Sequence, residues 1–308
     1  IASILIAVSI STLSKYKNGF PERFSKEGII NFEFNTINFR KDFWKNFDEN
    51  KISLSKPQSQ KINVYIFGNS HSGDVLDAFL YAKDFYKEFH FLKISKTEEI
   101  SCFDERDPRF SAKRNALYES EVYKKTDIFI IASRFFDIKC DKKLNHSPTD
   151  LDGLNYLIPK LKRDGKKIII LGNTIMLNKI EDKWLEEYIY LKAINEKTNS
   201  FLTFEDFDSY KNIAEKKAYQ LQNELNIMIN NKLKKISLIN KIGYFERRKL
   251  FCDTNTKRCA VFTKNGNRLR YDYGHLTLEG KKQFSELLRK SNFKSILLDT
   301  LRNQNSSN

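Results

Sequence analysis

Two short segments carry the side chains that could do covalent chemistry. The first, INVYIFGNSHSGD (62–74), is an apolar run without a helical stripe that stops at Gly68 and then presents Ser70 beside His71. The second, RYDYGHLTLEG (270–280), sets Asp272 three residues before His275. A serine attacks a carbonyl carbon only when a base takes its proton. The chain has 4 His, so few bases are available. His71 adjoins the serine and is expected to point elsewhere, His90 begins an apolar run, and His146 lies in the polar loop NHSPTD. His275 differs, because a nearby preceding carboxylate can orient the imidazole and support its charge, as the third member of a triad does. The order is then Ser70, Asp272, His275. Plainer readings stand beside these: serine is common in strand-to-helix turns for capping alone, and a histidine where a helix starts can simply cap or pack.

Other chemistries fit less well. The nucleophile elbow of α/β-hydrolases needs G-x-S-x-G, and Ser72 occupies the fifth position here. An Asp and a His three apart also do not suit that fold, whose two partners lie on separate loops. No G-x-x-x-x-G-K-[ST] phosphate loop occurs. The cysteines are Cys102, Cys140, Cys252 and Cys259. Without a C-x-x-C pair, zinc is not expected, and an even number fits disulfides. Cys252 and Cys259 enclose only the polar stretch DTNTKR and can close locally, which leaves Cys102 and Cys140 to pair by default. Paired cysteines place the domain outside the reducing cytosol.

The elements that must position these residues are legible from residue 61 onward. INVYIF (62–67), HFLKIS (90–95), TDIFIIAS (126–133) and KKIIILG (166–172) read as buried strands. Helical stretches alternate with them, at 74–86 and between the last two strands, the latter with Leu151, Leu154, Leu157, Ile158 and Leu161 on one stripe. That alternation predicts an α/β domain over 61–301 with a central parallel sheet of about five strands flanked by helices. Ligands of such sheets sit at the carboxyl ends of the strands. Ser70 falls there, next to a helix N-terminus that favours developing negative charge. Beyond residue 180, Ala214, Ala218, Leu221, Leu225, Met228 and Leu233 form one stripe read as core. A short strand is expected at ISLIN (236–240), and a last helix over 278–301 with Thr277 as its N-cap. Residues 15–60 have aromatic islands but no clear period and read as a connector packing on the domain, and 302–308 as a polar tail.

The 308-residue chain carries a net charge of +15 with a pI near 9.4. Such a surface favours anionic partners: phospholipid head groups, acidic glycans or nucleic acid. Lysines are spread over the whole length, and no zinc-finger or RNA-recognition signature occurs, so nucleic acid is not expected. Charged residues at 30% and a mean hydropathy of −0.55 argue against a polytopic membrane protein. The opening IASILIAVSISTL lacks charge and is followed by Lys15, Lys17 and Arg23. It is shorter than the roughly 20 apolar residues that span a bilayer, and a signal peptide carries its positive residues first. Residues 1–14 therefore read as the end of a transmembrane helix, or alternatively as a buried N-terminal element. Basic residues after a transmembrane segment usually mark the cytoplasmic side; the cysteines outweigh that rule here.

GNSHSGD after the first strand and DYGHLTLEG before the last helix together resemble the SGNH hydrolase superfamily. More narrowly, the chain is similar to SGNH domains fused behind acyltransferase-3-type membrane domains, which O-acetylate bacterial surface polysaccharides, lipopolysaccharide among them. Ser-His in the first block, the close Cys pair before D-x-x-H-L-[ST] and the truncated upstream helix match that subgroup. The resemblance implies a flavodoxin-like fold, with Ser70 as nucleophile, His275 as general base and Asp272 as its orienting partner. It further implies a membrane-anchored domain on the periplasmic face of the inner membrane. There it would transfer an acetyl group, supplied from acetyl-CoA through the membrane domain of the same chain, to a cell-surface glycan, with no metal or organic cofactor of its own.

The chain departs from that pattern at three points. Asn69 stands where the usual Asp precedes the nucleophile. No Gly occurs between Gly73 and Gly153 to serve as the second block, and the third strand runs into ASRFFD without the third-block Asn. One oxyanion donor contributes roughly 2.7–4 kcal/mol. The Ser70 amide remains, and Asn69, Ser133, Arg134 and Asn173 are the candidates to supplement it or to bind substrate, with a structural ion pair as the alternative for Arg134. Two rival functions use the same site: an esterase that deacetylates a glycan, and a catalytically weak glycan-binding module.

Overall fold

The structure, a computed structural model, describes residues 44–103, 108–136, 149–196, 204–222 and 224–302. The expectations for residues 1–14, Cys140, His146 and residues 303–308 lie outside that range. Strands β1 (Ile62–Phe67), β2 (Phe89–Leu92), β3 (Ile128–Ala132), β4 (Lys167–Leu171) and β5 (Gly243–Phe245) pair in parallel in the order β2-β1-β3-β4-β5. The sheet is buried on both faces, which explains why its strands read as continuous apolar runs without a polar side. Val64 and Ile66 of β1, Ile128 and Ile130 of β3, and Ile169 of β4 pack on one side with Val75, Phe79, Phe284 and Leu297. Tyr65, Phe67, Phe129, Ile131 and Ile170 pack on the other with Leu154, Leu157, Ile158 and Leu161. Burying each such side chain stabilises the fold by about 1.5–3 kcal/mol.

The helix Asp150–Arg163 presents the expected stripe and begins in a full capping box between Thr149 and Asp152. Thr277 caps the helix Leu278–Lys290 by accepting from the Gly280 amide. Elsewhere pattern and structure differ. Residues 45–54, which show no clear period, form the helix Lys45–Leu54, whose Phe47 and Leu54 are buried against the core. The stripe from Ala214 to Leu233 is split between the helices Phe204–Gln220 and Glu224–Ile239. Ala214 and Ala218 therefore pack on one face of the sheet and Leu233 on the other, while Met228 is 45% exposed. ISLIN is not a strand. Helix Glu224–Ile239 continues through it because Leu233 and Ser237 still face inward, and β5 follows only after Lys241 turns the chain with φ +52°. The last helix breaks at Ser291, whose backbone is extended, before Phe293–Arg302 resumes.

Strands β6 (Cys252–Asp253) and β7 (Arg258–Cys259) form a small antiparallel hairpin closed by the expected Cys252–Cys259 disulfide. Cys102 is disulfide-bonded as well. Cross-linking so short a loop restricts the unfolded chain by about 2–3 kcal/mol. Replacing both Cys252 and Cys259 with Ala should lower unfolding stability by that amount in a denaturant titration, and an unchanged midpoint would show that the hairpin is held by packing alone. No helix among the described residues is long and apolar enough to cross a membrane.

Candidate active site

The chain runs from β1 to β2 on one side and returns to β3 on the other, so the crevice at the carboxyl ends of β1 and β3 is the topological switch point. Gly68 opens the loop after β1 with φ +144°, and a Cβ there would lie 2.1 Å from the Ala132 carbonyl oxygen. Only glycine lets the two loops approach this closely. Gly68→Ala should cost about 3 kcal/mol or more and remove activity with it. A variant as stable as the parent in thermal unfolding would contradict this.

Asn69 then ties the loops together. Its Oδ1 accepts from the amides of His71 (3.2 Å) and Arg134 (2.9 Å), and its Nδ2 donates to the Arg134 carbonyl (3.2 Å). Ser70 precedes the helix His71–Tyr81, yet its hydroxyl makes no capping bond. Ser72 instead bonds the carbonyls of Gly68 and Asn69. The Ser70 hydroxyl lies 2.8 Å from His275 Nε2.

His275 is held by a tight turn in which the Tyr271 amide donates to the His275 carbonyl at 3.1 Å. Asp272 Oδ1 accepts from the amides of Gly274 (3.0 Å) and His275 (2.9 Å), leaving Oδ2 at 2.7 Å from His275 Nδ1. That partner favours the tautomer with the proton on Nδ1, so Nε2 can accept from Ser70. Burial pushes the Asp272 carboxyl up, but the hydrogen bond and charge of His275 and the two amides outweigh it and hold the group below the ordinary range. Tyr271 stacks on the imidazole with centroids 5.6 Å apart. His71 does not point elsewhere: its ring lies 4.5 Å from that of His275. Gly274 makes room, since a Cβ there would come within 3.0 Å of His71. Burial, followed by the charges of His275, Arg247 and Arg134, holds the pKa of the His71 ring well below the ordinary histidine range.

The other candidates separate by geometry. The Ser70 amide makes no hydrogen bond among the described residues, whereas that of Arg134 is engaged by Asn69. Asn173 does not face the crevice. Its Oδ1 and Nδ2 bond the amide and carbonyl of Phe135 at 2.8 and 2.9 Å, so it braces the loop after β3. The Ser133 hydroxyl is buried without a partner among the described residues. Arg134 makes no ion pair among them either, and its guanidinium lies 4.6 Å over the Tyr273 ring. No cluster of His, Cys, Asp and Glu side chains among the described residues is placed to hold a metal ion.

Two buried charges have no signal in the sequence. Arg247, 1% exposed, follows β5 and donates to the carbonyls of Gly172 (2.6 Å), Ser133 (2.9 Å) and His71 (3.5 Å). It joins the loops after β4, β3 and β1 at one point. Burial lowers the pKa of its guanidinium to about 10, with the fields of Asp74 and Tyr244 opposing. Asp74, in the first turn of the helix His71–Tyr81, accepts from the Leu276 amide at 3.4 Å through one oxygen. Burial raises its carboxyl from 3.8 to about 7 against the opposing fields of Lys281 and His275.

The raised Asp74 carboxyl makes stability depend on pH. Between about pH 4 and pH 7 the folded state keeps a proton that the unfolded state has released, so this group's contribution to stability falls as pH rises. Asp74→Asn, which cannot titrate, should therefore gain stability relative to the parent over that window and hold a constant difference above it. A difference independent of pH between 4 and 7 would refute the assignment.

Residues 39–290 match the family described as the SGNH domain fused to AT3 domains. The chain belongs to this family. Among solved structures, this SGNH domain is similar to the periplasmic domain of a lipopolysaccharide acetyltransferase from Salmonella ser. Paratyphi A. The two share 17% identity over 83% of this chain and 97% of that one, with a TM-score of 0.53. It also resembles a GDSL-like lipase from Bacteroides thetaiotaomicron at 13% identity, covering 82% of this chain and 98% of that one, with a TM-score of 0.43. No match was found among curated proteins. The first likeness agrees with the SGNH fold that the parallel five-stranded sheet displays.

Proposed function

We propose that the chain is an extracytoplasmic O-acyltransferase domain that moves an acyl group, acetyl in particular, onto hydroxyls of a bacterial cell-surface polysaccharide through Ser70. The observation that carries this reading is the line from Ser70 Oγ to His275 Nε2 at 2.8 Å and from His275 Nδ1 to Asp272 at 2.7 Å. In the first step His275 takes the Ser70 proton as Oγ bonds to the acyl carbonyl carbon. The resulting oxyanion faces the unengaged Ser70 amide at the start of its helix. Collapse expels the donor's leaving oxygen or sulfur, which receives the proton from His275, and leaves the acyl group on Ser70. His275 then takes the proton of a sugar hydroxyl as that oxygen attacks, and returns it to Ser70 when the ester is released. Each proton transfer of this kind contributes typically about 10²–10⁴-fold. Asp272 keeps the imidazole oriented throughout.

Family membership, with fusion to AT3 domains, supports an upstream membrane domain that supplies the acyl group and an anchored location outside the cytosol. An esterase would use the same residues with water in place of the sugar. Mixing the protein with an aryl acetate and digesting the quenched product should yield a Ser70 peptide heavier by one acetyl group. Adding a polysaccharide acceptor should then move the label to the glycan faster than to water. A label that never appears on Ser70 would sink the proposal, and hydrolysis that the acceptor leaves unaltered would favour the esterase.

A further inference from the structure

A row of alternating cations and aromatic rings runs away from the candidate active site. Tyr273 stands edge-on to His275, with centroids 5.4 Å apart. The Arg134 guanidinium lies 4.6 Å over the Tyr273 ring and 5.5 Å from that of Phe136. Beyond Tyr273, Trp184 packs edge-to-face at 6.3 Å, and the Lys179 ammonium lies 5.1 Å over Trp184. Lys179 is exposed and the other four are partly exposed, so the row is open to solvent. Proton transfer between Ser70 and His275, with Asp272 orienting the imidazole, needs none of it.

We propose that this row is the acceptor subsite and that it selects an acidic polysaccharide, one whose sugars bear carboxylates. The inference rests on the acyl-transfer reading for its place in the reaction, but its chemistry is independent. Neither Arg134 nor Lys179 forms an ion pair among the described residues. The buried acid that feels the Arg134 charge, Asp150, accepts instead from the Ser101 amide at 3.1 Å. Glu181 and Asp182, which follow Lys179 after Ile180, are exposed in a left-handed turn. A guanidinium stacked on a ring keeps N–H edges for a planar carboxylate, and holding it there beforehand lowers the ordering cost of binding. The partly exposed rings of Trp184 and Tyr273 add apolar surface for sugar rings beside these cations, while their polar edges tolerate water. The net charge of +15 draws a polyanion towards the domain.

The test uses the Ser70→Ala protein, so that binding is read without turnover. Trigalacturonate and neutral maltotriose are titrated by calorimetry, with the Trp184 indole signal followed by NMR. Trigalacturonate should bind at least about tenfold more tightly, as a charge-assisted hydrogen bond implies, and should shift the indole signal. Arg134→Gln should remove most of that preference. Lys179→Gln, at an exposed position, should weaken it without disturbing the fold, and added salt should do the same. Equal affinity for the two sugars, or a preference untouched by both substitutions, overturns the proposal. Tighter binding of an oligothymidylate than of trigalacturonate also overturns it, in favour of a nucleic-acid site. If aryl acetate fails to label Ser70 while the acidic preference holds, the acyl-transfer reading falls and the subsite stands. Labelling without the preference leaves acyl transfer standing and removes the subsite.

Discussion

Ser70→Ala should reduce aryl acetate turnover by about 10⁴-fold or more, and His275→Ala should match it, because a nucleophile and its base act as a unit. The double replacement should be scarcely worse than either alone. Asp272→Asn should fall by about 10⁴-fold, since an amide at 2.7 Å from Nδ1 stabilises the wrong tautomer. Stability should move little in Ser70→Ala, because the hydroxyl caps nothing and Ser72 supplies the local backbone bonds. Losses that add across the double replacement, or turnover that survives Ser70→Ala, would dismantle the triad assignment and leave the glycan-binding module as the better account.

Arg247→Met should be the most damaging change outside those residues. It leaves three carbonyls from three loops, those of Gly172, Ser133 and His71, without their shared donor. A buried group deprived of its hydrogen-bond partner costs about 1–3 kcal/mol, so the loss should reach at least about 3 kcal/mol in urea unfolding. Arg247→Lys should recover only part of this, because an ammonium lacks the planar fork that spans the three acceptors. Arg247 acts through the loops it joins, so in the folded fraction of Arg247→Lys turnover should fall while the KM for a small aryl acetate stays close to that of the parent. Unchanged stability in both variants would show that the loops are held by Asn69 and Asn173 alone.

The strand–helix alternation, the two-sided burial of β1, β3 and β4, the cap at Thr277 and the Cys252–Cys259 hairpin are all legible in the order of the residues. These are local matters: period, capping chemistry and the closure of a short loop depend on residues near one another in the chain. Residues 236–240 mislead for the same reason: Ile236, Leu238 and Ile239 have the local look of a strand, yet in the helix Leu238 and Ile239 face solvent and Ser237 faces inward. Met228 shares the spacing of its neighbours yet is 45% exposed, because the inward face of its own helix runs through Asn226, Ile229, Asn230, Leu233 and Ser237.

Residue types and spacing alone mark out which groups have the chemistry for acyl transfer, and they put Asp272 within one turn of His275. The meeting of Ser70 with His275 Nε2, 205 residues away, comes from the folded arrangement of the sheet and its loops. The same packing turns Asn69 and Asn173 to loop backbone and sets His71 against the imidazole. A side chain's type limits what it can bond, while its partner is fixed by what the fold brings beside it. Arg247 is the clearest case: its acceptors are backbone carbonyls, which every residue possesses, so no pattern of side chains could have announced them.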